Sequence, residues 1–218
     1  MIESSDFRAT RMPLSHRAGH IPVLGFGTRI PDAAATISAT RDALEAGFRH
    51  FDCAERYRNE REVGEALQAG LAAGGIAREE IFVTSKLWNS NHRPDPLDQN
   101  GNIIYDRGVT LLETWGAMES LMDRGRCRAI GLSDISLNEL LPIYESARIK
   151  PAVVQVEAHP YLPETDLLEF CKEKDVVFLA FAPLGQLTTP RTAARARENF
   201  NISGSSGRCA RRNQSNSN

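Results

Sequence analysis

The chain has 218 residues, 41% apolar and 25% charged, with a formal net charge of −2. That composition excludes collagen-like and wholly disordered chains and fits one soluble globular domain with a sizeable core. A balance so near neutrality gives no electrostatic basis for binding nucleic acid or an acidic membrane surface.

The opening stretch, MIESSDFRATRMPLSHRAGH, is polar and lacks the hydrophobic run of a secretory signal. A hairpin is expected over about residues 10–27, with His16 and His20 in it. Short β-branched or aromatic runs then predict strands at Val23–Gly27, Phe48–Asp52, Ile81–Ser85, Arg128–Leu132, Ala152–Val156 and Val176–Phe181. Near-continuous apolar runs such as AVVQV and VVFLAF suit strands buried on both faces of a parallel sheet.

Helix punctuation fills the intervals. Asp32 can cap a helix that stops at Gly47. Asn59 with Glu62, Thr110 with Glu113 and Ser136 with Glu139 have capping-box spacing. Val63, Leu67 and Leu71 share one helix face, and Leu111, Trp115, Met118 and Met122 share another. Gly125 stands where a left-handed helix terminus is expected, and a further helix is predicted over Glu164–Lys174.

Strand–helix alternation predicts parallel βα units with right-handed crossovers. The rhythm breaks between Ser85 and Arg128, where residues 88–109, WNSNHRPDPLDQNGNIIYDRGV, show neither strand nor helix period. Such a loop is either functional or a sign of a mis-assigned element. About six units are legible, whereas a complete eight-unit barrel takes about 250 residues. Residues 201–218 carry a single bulky apolar residue, Ile202, and are expected to form a disordered tail.

No apolar run approaches the roughly 18 residues of a membrane span, and the cytoplasm is the default address. Cys53, Cys127, Cys171 and Cys209 show no C-x-x-C pairing or ligand-like His spacing, so neither disulfides nor a metal site are expected.

In parallel βα folds, working residues lie at the carboxyl ends of strands. Asp52 ends the second strand, Tyr57 follows in the next loop, and Lys86 comes directly after the third strand. An unperturbed Tyr, with a pKa of about 10, is a poor acid at neutral pH. A neighbouring ammonium favours its phenolate, and a carboxylate paired with that Lys fixes the ammonium's position. Asp–Lys–Tyr is thus a plausible proton-donating relay for carbonyl reduction. The plain reading is a turn Asp, an ion-paired Lys and a half-buried Tyr.

The segments IPVLGFGT, FRHFDCAERYRNEREVGEAL, IFVTSKLWNSNHRP, GRCRAIGLSD, PAVVQVEAHPYLP and LAFAPLG resemble, in order, those of the aldo-keto reductases. The resemblance covers roughly residues 20–186. It implies an α/β fold of the TIM (β/α)8 type, incomplete here, that binds NADPH (NADP+) and reduces aldehydes and ketones. Tyr57 matches the family's general acid, Lys86 the residue that lowers its pKa, and Asp52 the carboxylate paired with that Lys. Tyr57 and Trp88 match positions facing substrate.

For the cofactor, the resemblance implies Gly27, Thr28 and Asp52 near the nicotinamide ribose, Ser133, Asp134 and Gln155 at the carboxamide, and Phe181 stacked on the ring. Asp134 stands where Asn is usual, and Phe181 where Tyr is frequent. Ala182, Leu184 and Gly185 continue the pyrophosphate loop. Arg195 would meet a 2′-phosphate, with Glu198 and Asn199 near adenine. A Lys usual in that region is Thr189 here, so preference for NADPH over NADH rests mainly on Arg195.

Two departures stand out. NSNHRP runs directly into DPLDQNGNIIYD, so the helix, strand and catalytic His usual between them are absent, with a junction near Pro94–Asp95. A second junction lies near residues 185–187, where APLGQ meets LTTPRTAARARENF. Among the remaining histidines, His50 lies two residues before Asp52 on the same strand face, roughly 7 Å deeper, and reads as structural. His159 reads as a turn residue, and His92 falls in the anomalous loop.

These expectations give one barrel-like domain over residues 1–200, acting on a small carbonyl substrate with no nucleic-acid or membrane partner. A monomer is expected, with open strand edges as a route to association. The chain is either a weakened reductase or an inactive derivative that binds cofactor or a protein partner. A further alternative uses Lys86 as a Schiff-base nucleophile of aldolase type.

Overall fold

A computed structural model describes residues 7–87 and 108–185. Its first element is an antiparallel hairpin, β1 (Arg11–Pro13) with β2 (His20–Pro22), registered Met12 to Ile21. Six parallel strands follow: β3 (Phe26–Gly27), β4 (His50–Asp52), β5 (Phe82–Thr84), β6 (Gly131–Ser133), β7 (Val153–Glu157) and β8 (Val177–Phe181). They alternate with α1 (Ala33–Glu45), α2 (Glu60–Gly74), α3 (Leu111–Asp123), α4 (Leu137–Ser146) and α5 (Thr165–Glu173). Each predicted strand is present, with its ladder trimmed or shifted by a few residues.

The parallel strands form two sheets, β3-β4-β5 and β6-β7-β8. Among the described residues no ladder joins β5 to β6. The break falls between Ser85 and Arg128, where the sequence spacing is irregular. Each sheet has its own helical cover. Ala43 and Leu44 of α1, with Val63 and Leu67 of α2, pack on Phe51 of β4. Leu140, Ile143, Leu167 and Cys171 of α4 and α5 pack with Val154 and Val156 of β7. Gly70 allows α1 and α2 to approach closely, because a Cβ there would come within 2.4 Å of Leu44 Cδ2.

The hairpin spans both sheets from below. Leu14, Ala18 and Ile21 form a cluster with Ala152 and Val177 of the second sheet, and Phe82 of the first packs against it. His16 adds a ring-nitrogen contact of 3.2 Å to the Lys150 carbonyl. Leu14, Ala18 and Ile21 are thus the inner face of a plug, whereas Phe7 and Met12 of the same segment are exposed.

Local signals behave as expected at three of four helix starts. The Asp32 carboxylate accepts from Ala35 N at 2.7 Å, and the Thr110 and Ser136 capping boxes close on Glu113 and Glu139. Gly125 has φ +65° at the end of α3. Asn59 departs from expectation. It makes no cap bond, because its amide is drawn away to a tertiary site. Leu111 is exposed, since it lies in the first turn of α3, beyond the core that receives Trp115, Met118 and Met122. No helix among the described residues is long and apolar enough to cross a membrane.

Candidate active site

The carboxyl ends of β4 and β5 bring together the residues singled out for proton transfer. β4 places Asp52 at its last position, and β5 runs through Ser85 into Lys86. The Lys86 ammonium donates to Asp52 Oδ1 at 2.7 Å and to the Cys53 carbonyl at 2.8 Å. Both side chains are mostly shielded, 20% exposed for Lys86 and 14% for Asp52. The pair is therefore screened by water far less than a surface ion pair.

Tyr57 closes a short 3-10 turn, Glu55–Tyr57, whose end is set by Arg58 at φ +56°. Lys86 Nζ lies 5.4 Å from the centroid of the Tyr57 ring, within cation–π range. The ammonium thus sits between a carboxylate and an aromatic face. The Ser85 hydroxyl donates a short hydrogen bond to Glu60 Oε1 at the start of α2. That bond ties the loop carrying Lys86 to the helix that follows the Tyr57 turn.

Asn59 fixes the neighbouring loop after β3. It is 4% exposed, and the two hydrogens of its Nδ2 are shared among Thr28 O at 2.7 Å, Ile30 O at 3.0 Å and Thr36 Oγ1 at 3.2 Å. Two of those acceptors are backbone carbonyls, so the nitrogen and not the oxygen must face them.

The second sheet contributes from across the barrel. Gln155 of β7 is buried and its Nε2 donates to Asp52 Oδ1 at 3.2 Å. One carboxylate oxygen therefore receives both the Lys86 ammonium and the Gln155 amide. Ser133 stands in register with Gln155 and is exposed. Asp134 has φ +54°, and its N–H donates to Gln155 O at 3.0 Å. Left-handed backbone of this kind is tolerated best by Asn and Asp among non-glycine residues. Phe181 ends β8 partly buried, Ala182 has φ +47°, and Leu184 is exposed.

Gly27 has nothing within 4 Å of the place a Cβ would occupy, so the backbone there is open to approach. Thr28 is different. It is fully buried, its hydroxyl and its N–H both donate to Asp52 O, at 2.9 and 3.1 Å, and its carbonyl accepts from Ile30 N. Trp88, His92, Arg195, Glu198 and Asn199 lie outside the described residues, as do both expected junctions and residues 201–218.

His50 is buried beneath the pair, with Nε2 2.9 Å from Thr84 Oγ1. Burial lowers its pKa, opposed by the Asp52 charge and assisted by Lys86. A ring held neutral and packed edge-on against Phe82 serves the barrel interior. Among the described residues no group of three His, Cys, Asp or Glu is arranged to hold a metal ion.

Sequence reading missed three contacts here: the Cys53 carbonyl as second acceptor for Lys86, the Gln155–Asp52 bond and the Ser85–Glu60 tie. A backbone acceptor leaves no trace in residue identity. The other two join side chains far apart in the chain, which spacing does not reveal.

The sequence pattern of the Aldo/keto reductase family matches residues 24–107 and 90–202. Estradiol 17 beta-dehydrogenase 5 of Mus musculus is 39% identical over 210 residues, taking in 77% of this chain and 64% of the mouse protein. Aldo-keto reductase family 1 member C1 of Pongo abelii is 36% identical over 222 residues, covering 83% of this chain and 68% of the relative. The solved aldose reductase of Schistosoma japonicum superposes with a TM-score of 0.74 at 34% identity, over 88% of this chain and 75% of that one. The chain spans about two thirds of the length of the curated relatives it matches.

Proposed function

Because the chain belongs to the aldo/keto reductase family, we propose that it reduces small aldehydes or ketones to alcohols with a nicotinamide cofactor. The observation that carries this reading is the Lys86–Asp52 pair at 2.7 Å, set beside the Tyr57 ring.

A nicotinamide cofactor supplies the hydride when bound. The residues present suit its nicotinamide half. A carboxamide needs both donors and acceptors, and the Gln155 amide and the exposed Ser133 hydroxyl offer both. Phe181 offers an aromatic face at the same rim, and open backbone at Gly27 leaves room for a ribose. Asp134, acceptor-only when ionised, suits the NH2 of a carboxamide and not its carbonyl. The Ala182, Leu184 and Gly185 turn would meet the pyrophosphate. Choice of NADPH over NADH rests on Arg195, with Glu198 and Asn199 at adenine and Trp88 at the substrate.

Tyr57 is the proton donor to the carbonyl oxygen in this proposal. The Lys86 ammonium lies against the Tyr57 ring, and its bond to Asp52 holds it in place there. Both Lys86 contacts are acceptors, Asp52 Oδ1 and the Cys53 carbonyl, and each takes a hydrogen from Nζ. A Schiff-base nucleophile must instead be a free amine, so these contacts favour the reductase over the aldolase reading.

Among the described residues no ladder joins β5 to β6, and this favours a second reading, in which the chain binds cofactor without turning over. An alignment of 210 positions that takes in only 77% of 218 residues also contains positions with no counterpart here, which supports a shortened barrel.

One assay separates the readings. Oxidation of NADPH with an aromatic aldehyde is followed for the chain and for Tyr57→Phe. The expected fall in turnover is about 100- to 10,000-fold. Turnover that survives Tyr57→Phe would overturn the assigned acid. Quenching of Trp88 or Trp115 fluorescence by NADPH without turnover would select the binding-only reading.

A further inference from the structure

Tyr57 stands in a stretch with little core of its own. Within Asp52–Asn59, Cys53 and Ala54 are buried, whereas Glu55, Arg56 and Arg58 are exposed and Tyr57 is half-buried. The turn is closed by Tyr57 N donating to Ala54 O at 2.9 Å and Arg58 N to Glu55 O at 3.0 Å. Arg58 then takes φ +56°, a left-handed conformation uncommon outside glycine and kept only where the surroundings fix it. These bonds shape the loop but do not set where it stands against β4. Its two ends must do that.

Both ends meet at one residue of the loop after β3. At the start, Asp52 O accepts from Thr28 N at 3.1 Å and from Thr28 Oγ1 at 2.9 Å. At the finish, Asn59 Nδ2 donates to Thr28 O at 2.7 Å. Thr28 is fully buried and Asn59 nearly so, so water competes little for these groups. Asn59 O also accepts Val63 N at 3.0 Å, which joins the same residue to the first turn of α2. The other tie at this end, Ser85 to Glu60, links two exposed residues and counts for less. The buried bonds run in series, from Asp52 through Thr28 to Asn59.

We propose that Asn59 is a positioning residue for Tyr57: through Thr28 it clasps the far end of the Tyr57 loop to β4, beside the Asp52–Lys86 pair. The role given to Tyr57 rests on the proposed function; the clasp does not. Asn59 moves no proton. It holds the donor where the carbonyl will arrive, and a misplacement of about 1 Å can cost about 100-fold in rate.

Amide hydrogen exchange in the ligand-free protein tests the clasp directly. Asn59→Ala opens it at the far end and is expected to speed exchange at Tyr57 and Arg58 about five- to ten-fold. Leu162 N–H, bonded to His159 O at 2.8 Å in the loop after β7, should stay within about two-fold of the parent. With NADPH and an aromatic aldehyde, kcat is expected to fall about 10- to 100-fold while KM for the aldehyde stays within about two-fold. Thr28→Val removes one hydroxyl bond and should speed exchange at Tyr57 and Arg58 about two- to five-fold; Thr28→Ser, which keeps the hydroxyl, should restore parent rates. Because the bonds act in series, Thr28→Val should add little once Asn59→Ala is present. Parent-like exchange at Tyr57 and Arg58 in Asn59→Ala, equal acceleration at Leu162, or additive effects of the two changes overturns the proposal. If Asn59→Ala fails to fold, Thr28→Val and Thr28→Ser decide. If no form turns over while Asn59→Ala still frees Tyr57, the clasp stands and the reductase reading falls. A fall in kcat without faster exchange at Tyr57 keeps the reductase and removes the clasp.

Discussion

Asn59→Asp is a small change with opposite expectations at a helix cap and at a buried donor site. At an N-cap, Asp serves about as well as Asn. In the structure the Asn59 amide instead faces Thr28 O at 2.7 Å and Ile30 O at 3.0 Å from a buried position. An ionised carboxylate there would confront two carbonyl oxygens with no hydrogen to offer. It can escape by binding a proton and donating one O–H. From an unfolded pKa of about 3.9, that costs about 4 kcal/mol at pH 7 and about 1.5 kcal/mol at pH 5. Asn59→Ala sets the reference. It removes the donors, but Thr28 O retains Ile30 N at 2.7 Å and Ile30 O retains Thr36 Oγ1 at 3.1 Å. Its cost is therefore about 1–2 kcal/mol.

The sign follows from a folded pKa raised above the unfolded one. The destabilisation by Asp is absent below the unfolded pKa and grows as pH rises toward the folded pKa. Urea unfolding followed by circular dichroism, with unchanged slope, gives the difference from the midpoints. Asn59→Asp is expected to be less stable than Asn59→Ala at pH of about 7, and to recover about 2–3 kcal/mol by pH of about 5. An Asn59→Asp chain as stable as the parent at both values would return the side chain to the cap.

Two further outcomes follow from burial. His50 has its pKa lowered, chiefly by desolvation, so the unfolded chain takes up its proton first as pH falls. Its stabilising share is present above the ordinary value of about 6.5 and declines toward the lowered folded pKa. His50→Gln should flatten the stability profile as pH falls below about 6.5; an unchanged slope would show that the ring protonates freely. Burial also pushes the Cys171 thiol up to about 11 and raises Cys53 and Cys127. Because only Cys127 of these three is partly exposed, iodoacetamide with peptide mass mapping should label Cys127 before Cys53 and Cys171, and labelling of Cys171 at the same rate would contradict the packing.

Strands were legible because their residues are used twice, as apolar sequence runs and as buried layers. Phe51 and Val154 fill the two cores that HFD and AVVQV imply. The capping boxes at Thr110 and Ser136 are local, and three-residue patterns capture them. Asn59 carries the same pattern, yet its side chain is turned to put its hydrogens on Thr28 and Ile30, which takes Oδ1 away from the helix N–H groups. The Asp52–Lys86 pair was legible since both residues terminate adjacent parallel strands. The Gln155–Asp52 bond was not, because it depends on how two separate sheets face each other. The Thr28 hydroxyl bond to the Asp52 carbonyl was not legible either, because its acceptor is backbone.

The hairpin beneath the two sheets also constrains the order of assembly. Each sheet with its helices is built from neighbours in sequence, so each can gather by short loop closures. Leu14 and Ile21 have no complete seat until Ala152 and Val177 stand beside each other. Such distant partners carry the largest closure entropy in the molecule and come late. The residues at the front of the sequence are thus a keystone, fitted after the arcs they hold together.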